Sequence, residues 1–214
     1  MSKEAGSSKS KQSPETATRP RTQAERSSRT RQVVCEAVLD CLVEHGWEGV
    51  SSNSVAARAG ISRGALVHQY PTRNDMYVAA YKFLIDIWRE GYPFNTAPDY
   101  VRLSITEMID AIWALIYENK WFMASMELVM VSEKDGELSR RLLEVYTAWV
   151  AERDDAAMKI LGIDPSDRNM VDLFNLSLAT LRGIAMFSNA SGEPDYAQRH
   201  VERWKAMARA AVDS

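Results

Sequence analysis

Cysteine is scarce in this 214-residue chain, which has only Cys35 and Cys41, both in one segment of helical periodicity. Six residues at a rise of about 1.5 Å hold them ~9 Å apart, beyond the roughly 7 Å reach of a disulfide. They are read as packing residues, and no second ligand cluster supports a redox or metal role. Long apolar runs are missing too: Asp, Glu, Lys or Arg interrupts each before the roughly 18 residues of a bilayer span, so no membrane association is expected. Residues 1–31 are rich in Ser, Thr, Lys and Arg and lack the apolar core of a secretory leader, which makes the cytoplasm the expected compartment. Sustained period-two alternation is absent, which argues against a sheet. There is no HExxH, no phosphate-cradling glycine loop, no nucleophile beside a base and no paired His and carboxylate ligands. Glu107, Asp110 and Glu127 therefore read as solvated helix faces. His68 stands at no ligand spacing from His45 or His200. Neither catalysis, nor a cofactor, nor a metal is expected.

What is present starts with a hydrophobic content of 46%, enough to fill a core at this length. The net charge of −3 is unevenly spread: residues 1–31 hold eight basic side chains against three acidic, a net of +5 that leaves −8 for the rest. A basic end on an acidic body suits a chain of which only one end meets a polyanion, although a solvated tail has the same composition. Residues 1 to about 24 have almost no large apolar side chain to offset ordering entropy, so they read as a flexible tail, with order expected from a Ser27 or Ser28 cap.

Beyond that point everything reads as helix, and the expected class is all-α. Val34, Ala37, Val38, Cys41 and Leu42 recur at amphipathic spacing up to Gly46. Ser51, Ser52 and Asn53 offer caps for a short helix ended by Gly60, and Ser62 caps another that Pro71 stops. Thr72 opens a helix to about Glu90, and Pro98-Asp99 one to about Glu118. Further helices follow near 121–131, 137–161, 167–189 and 195–212. The two short ones are too short to persist alone and need a longer helix beneath them.

The segment from Val55 to Leu66 meets the demands of a helix-turn-helix, although an ordinary helical hairpin shares the spacing. Ala56 and Ala59 allow close crossing, Gly60 can take the positive φ of a tight turn, and Ile61 can plug the crossing. Ser62 then caps a recognition helix that leaves Arg63, Ala65, Val67, His68 and Gln69 available to DNA.

Residues 27 to about 87, with Ala59-Gly60-Ile61-Ser62-Arg63-Gly64-Ala65-Leu66, Tyr70-Pro71 and Thr72-Arg73-Asn74-Asp75-Met76, resemble the DNA-binding domain of the TetR family. Farther on, the resemblance rests on the all-helical layout and on Leu181-Arg182-Gly183-Ile184-Ala185. It implies a three-helix DNA-binding domain over 27–87 behind a tail of 1–26, and a helical effector-binding and dimerisation domain over 88–214. It also implies a DNA-contacting set of Ser52, Ser62, Arg63, Gly64, Ala65, Val67, His68, Gln69, Tyr70 and Arg73, in which Arg73 grips a phosphate, His68 and Gln69 touch bases or backbone, and Tyr70 anchors the helix. Val67 stands where the family usually has Tyr, so a backbone contact is exchanged for a side chain suited to a thymine methyl.

Trp113, Tyr117, Trp121, Met126, Tyr146, Trp149 and Phe174 form an aromatic and Met-rich set spread over several helices. Ordinary core packing accounts for any one of them; as a group they are candidates to line a cavity for a small apolar or aromatic effector. The helix at 167–189 carries one stripe of Val171, Phe174, Leu178, Leu181 and Ala185 and another of Leu173, Leu176, Ile184 and Phe187. With Val201, Trp204, Ala208 and Ala211 of the last helix it reads as half of a four-helix homodimer interface, the alternative being a buried central helix in a monomer. The function expected from all this is a transcriptional regulator, a repressor that leaves double-stranded operator DNA when the effector binds; the competing reading is a helical ligand-binding protein or enzyme with an incidental helix-turn-helix.

Overall fold

A computed structural model describes residues 22–96, 101–132, 136–188 and 190–213, and the elements described are all helical. In chain order they are α1 (Gln23–Gly49), α2 (Ser52–Ala59), α3 (Arg63–Gln69), α4 (Arg73–Arg89), α5 (Ile105–Ile112) continued by a π-helical turn (Trp113–Tyr117), α6 (Phe122–Ser132), α7 (Gly136–Leu161), α8 (Arg168–Ser188) and α9 (Tyr196–Val212). The basic residues 1–21 lie outside the described ones.

Two helix starts differ from the expectation, and both for the same reason. Order begins at Gln23 instead of a Ser27 or Ser28 cap, because Thr22 and Glu25 form a capping box: the Glu25 amide donates to Thr22 Oγ1 at 3.3 Å and the Thr22 amide to Glu25 Oε2 at 2.7 Å. α5 begins at Ile105 and not near Pro98-Asp99, since Ser104 and Glu107 make the same reciprocal pair. Pro98 and Asp99 themselves fall outside the described residues. The first turns of α1 are exposed, and burial starts at Val34.

The apolar spacing of α1 packs it against α2, α4 and α6, while α4 packs on α7, and α8 pairs with α9. A single hydrophobic core runs from Val34 to Ala208. The expected boundary at 87/88 falls inside the last turn of α4, so α4 belongs to both ends of the molecule. Cys35 and Cys41 are free and buried, as packing residues.

α8 corrects the expectation that no segment could span a bilayer: by length and composition alone it is long and apolar enough. Its apolar residues serve two faces instead of one. Phe174, Leu178, Leu181, Ile184 and Ala185 are in the core, so Ile184 joins the inner stripe rather than the outer one. Leu176 and Phe187, at 57% and 62% exposure, point outward, as do Met207 and Val212 of α9.

Candidate functional site

The two short helices are joined as the turn chemistry requires. Gly60 closes α2 with φ of 67°, a left-handed conformation, and a Cβ there would meet nothing within 4 Å, so the glycine answers to backbone conformation and not to crowding. Ser51 caps α2 by exchanging hydrogen bonds with Ser54, which leaves Ser52 as the first helical residue, half-buried. Ser62 caps α3, its hydroxyl accepting from the Ala65 amide at 3.1 Å. Of α3 only Leu66 is buried. Arg63, Gly64, Ala65, Val67 and His68 are exposed, while Gln69 and Tyr70 are half-buried. Around Gly64 a Cβ would find only Ser62 Oγ, at 3.9 Å, so the start of α3 is open to close approach.

Tyr70 packs against the core. Its phenol and the Cys35 thiol bond each other, and burial pushes both upward, the thiol to about 11. Such groups stay neutral across the physiological range.

Arg73, exposed at the first position of α4, has a more committed side chain than its expected role suggests. Its Nε donates to Tyr77 Oη at 2.8 Å and Nη2 to the Trp47 carbonyl at 2.7 Å. The guanidinium lies 4.7 Å from the Trp47 ring centre and 5.3 Å from that of Tyr77, and the two rings are themselves stacked at 4.3 Å. Tyr77 carries a signal readable in sequence, since it stands one helical turn from Arg73. Trp47, 26 residues away, does not.

Trp47 leads onward into the body. Gly46 breaks α1 with φ of 63°, which frees the Trp47 amide; the Glu127 carboxylate of α6 accepts it. A second tie is Asp40 of α1, which accepts from Trp121 Nε1 at 2.7 Å and Lys120 Nζ at 2.9 Å and lies 3.7 Å from Arg58 of α2. These bonds hold the Asp40 carboxyl below its ordinary range against the opposing effect of burial. A third is Arg141 of α7, which reaches Asp75, the capping partner of α4, at 2.9 Å. Glu127 is therefore a linking residue, not merely a solvated face.

The seven aromatic and Met candidates do not converge on one spot. Trp113 and Tyr117 lie 5.8 Å apart on the π-helical turn, and Tyr117 meets Phe122 edge-on at 5.1 Å. Tyr146 joins this group through Arg182, whose Nη2 is 3.4 Å from its hydroxyl. Trp121 instead faces Asp40 and Phe83. Trp149 is fully buried against Phe94, with Arg89 over its ring. Phe174 is buried in the core and Met126 packs at its edge. Two cavities are described elsewhere. One of about 410 Å³ lies between α4 and α7, lined by residues that include Val78, Lys82, Ile85 and Val145. The other, of about 350 Å³, lies between the start of α5 and the ends of α7 and α9. Neither is lined by any of the seven. Among the described residues no group of His, Cys, Asp and Glu could hold a metal ion.

Comparison with known proteins matches this arrangement to DNA-binding regulators. The profile for bacterial regulatory proteins of the tetR family matches residues 35–80, from α1 through the first turns of α4. The HTH-type transcriptional regulator CymR of Pseudomonas putida is 29% identical over 179 residues, covering 78% of this chain and 83% of CymR. The HTH-type transcriptional regulator RutR of Escherichia coli K12 is 27% identical over 146 residues, 64% of this chain and 68% of RutR. Among solved structures, the multidrug binding protein EbrR complexed with imidazole superposes with a TM-score of 0.56 at 18% identity, over 81% of this chain and 93% of EbrR, a likeness of fold. With its helix-turn-helix matched in sequence and its helical body matched in fold, the chain carries over residues 35–80 the DNA-binding domain of the tetR family of bacterial regulatory proteins and is a DNA-binding transcriptional regulator.

Proposed function

We propose that this regulator is a repressor that grips a two-fold operator as a homodimer and lets go when a small apolar or aromatic molecule enters its helical body. The observation that carries the DNA half is α3 itself: a capped helix with one buried anchor, Leu66, and an exposed edge of Arg63, Gly64, Ala65, Val67 and His68. Such a helix reads a few base pairs in the major groove, so specificity requires two of them about one turn apart or a multiple of it. The outward apolar residues of α8 and α9, Leu176, Phe187, Met207 and Val212, suit a second copy of the same surface. Ser52, Ser62, Gln69 and Tyr70 frame the reading edge. Arg73, at the start of α4, is placed for phosphate once its guanidinium turns from Trp47.

The repressor reading is supported by a relative described as a transcriptional repressor, AcnR of Corynebacterium diphtheriae, and the effector half by the binding of imidazole and of proflavin to EbrR. Release follows a physical route here. α6 holds the Trp47 amide through Glu127 and α1 through Trp121 and Asp40, so displacement of α6 or α4 by a ligand alters the footing of Arg73 and α3. Coupling of this kind is reciprocal: an effector that lowers operator affinity is itself bound less tightly on the operator. Trp113, Tyr117 and Tyr146 are the members of the aromatic set best grouped to meet such a ligand; Trp121, Met126, Trp149 and Phe174 support the wall.

Footprinting on the DNA upstream of the protein's own gene tests this reading. Two protected half-sites related by a dyad, with dimer stoichiometry, are expected, and the protection should fade as effector is added. A single asymmetric half-site bound by a monomer would overturn the dimeric reading.

A further inference from the structure

The body contains a half-buried cation for which the described residues supply no anion. Arg182 sits half-buried at the margin of the inner stripe of α8, one turn from Leu178 and beside Leu181 and Ala185, three buried residues. Its partners among the described residues are phenols: Tyr146 Oη, at the long distance of 3.4 Å, and the hydroxyl of Tyr117. Tyr117 donates to the Leu178 carbonyl at 3.0 Å, which fixes a second phenol one helical turn from Arg182. The charges that bear on Tyr117 are those of Arg182 and Arg153, and burial raises its pKa against them, so it stays a neutral hydroxyl. Tyr81 of α4 feels the same Arg182 and Tyr146. Arg153, buried on α7, differs in having its own carboxylate, Asp154, at 2.7 Å. On the Tyr81 face of α4, two turns further, the buried Trp88 indole N–H has no acceptor among the described residues.

A guanidinium does not lose its charge, and even partial withdrawal of a charge from water without a counter-charge carries a cost. Where other arginines of this chain leave solvent they meet carboxylates: Arg153 meets Asp154, and Arg141 meets Asp75 and Glu137. The Arg182 site has donors in excess and lacks one species, an oxyanion on an apolar frame. Guanidinium is matched to carboxylate geometry, and the rings of Trp113, Tyr117 and Phe122 supply the flat apolar wall beside it.

We propose that the effector is a carboxylic acid, its carboxylate seated on Arg182 between the hydroxyls of Tyr117 and Tyr146 and its apolar part against the rings of the π-helical turn. This rests on the reading that the body binds an effector, and it narrows that ligand from apolar to amphipathic and anionic. It also places the ligand's charge on α8, whose outer face is the proposed dimer surface.

Isothermal titration calorimetry of the full chain with matched acids and amides tests it: phenylacetate against phenylacetamide, 2-naphthoate against 2-naphthamide, and octanoate against octanamide, followed by gel shift with each binder. At least one acid is expected to bind tenfold or more tightly than its amide. Arg182→Gln should abolish that preference, and Arg182→Lys should retain part of it. Tyr146→Phe, which keeps the ring, is expected to weaken the acid severalfold without changing the amide, and it decides the matter if Arg182→Gln does not fold. Amides that bind as well as acids and release DNA would overturn the carboxylate and leave the effector reading intact. An acid preference that survives Arg182→Gln would overturn the site. No binding by any pair overturns the carboxylic acid, and effector control itself then stands or falls on the footprinting with other compounds.

Discussion

The recognition helix and the penultimate helix put their side chains to opposite use. α3 is seven residues long and buries only Leu66, whereas α8 is 21 residues long and buries six, with a half-buried cation beside them. A helix of two turns cannot persist by its own hydrogen bonds, so α3 is held by few anchors and everything else on it is free to read DNA. A helix of six turns can satisfy two surfaces at once, a core on one side and a partner on the other. The helix starts and turns of the reading end follow from near neighbours; the contacts of the body depend on residues 30 to 80 positions away.

That contrast can be broken first by removing anchors. Leu66→Ala should cost about 2–5 kcal/mol and Trp149→Ala about 3–5 kcal/mol, as large-to-small changes in packed cores do. Thermal melts followed by circular dichroism would show both losses. Gel shifts in the cold should separate them: Leu66→Ala loses operator binding because α3 has no other anchor, while Trp149→Ala keeps it. Equal loss of DNA binding in both would show that the two ends are one cooperative unit in function as well as in core. Next in size is the outer face of α8. Leu176→Glu with Phe187→Glu should halve the mass seen in size-exclusion chromatography and reduce operator affinity roughly 100-fold, because the second reading head is no longer tethered. A dimer that persists would move the interface elsewhere.

Arg73 and Gln69 sharpen the comparison within the reading end. Arg73→Ala should weaken every DNA sequence alike, by about tenfold, and reduce the salt slope by about one, as loss of a phosphate contact does. Gln69→Ala should instead change preference at one base position by about 1–3 kcal/mol, seen by selecting bound DNA from a random pool. Glu127→Gln touches neither surface; it weakens the hold of α6 on Trp47, and should change operator affinity only a few fold while blunting its response to effector.

Much of the reading end was legible in the sequence because its signals are local. Ser62 before α3, Gly60 after α2 and Thr72 before α4 each act within four residues, and each cap stands where the sequence placed it. The same locality explains the misread starts: the Thr22 and Glu25 pair was legible as a capping box, but Ser27 and Ser28 competed for the role, and Ser104 with Glu107 lost in the same way to Pro98-Asp99. The body was legible as helices but not as partnerships. Nothing near Asp40 in sequence announces Trp121 and Lys120, 81 and 80 residues away, and Glu127 read as a solvated carboxylate because its acceptor role depends on a broken turn at Gly46. Seven aromatic and Met positions at helical spacing looked like one group, yet spacing along a helix says nothing of which neighbouring helix each ring will meet; Trp121 turned to α1 and Trp149 to Phe94.

The smallest expected effect separates the two ends by pH. Burial raises the Cys35 thiol to about 11, and Tyr77 to about 12, both beside the reading helices. In each case the neutral form is the one the fold prefers. The stability they contribute is therefore fully present below the ordinary thiol and phenol values, and is lost as pH rises through the folded ones. For Cys35 the window opens near pH 9, the ordinary thiol value, and closes near 11; Tyr77 begins a unit later, from the ordinary phenol value of 10. Melting temperature should thus fall by a few degrees between pH 9 and 10, before the phenols contribute. Cys35→Ala should melt lower than the parent at pH 8, having lost the thiol's packing and its bond to Tyr70, but should show a smaller further drop between pH 9 and 10, what remains belonging to Cys41, the other thiol that burial raises. The body, whose buried ionisable groups are phenols such as Tyr81 and Tyr117, has no group titrating in that first interval by the same cause. A parent and a Cys35→Ala variant with the same slope from pH 9 to 10 would mean that the thiol is not what couples the reading end to alkaline pH.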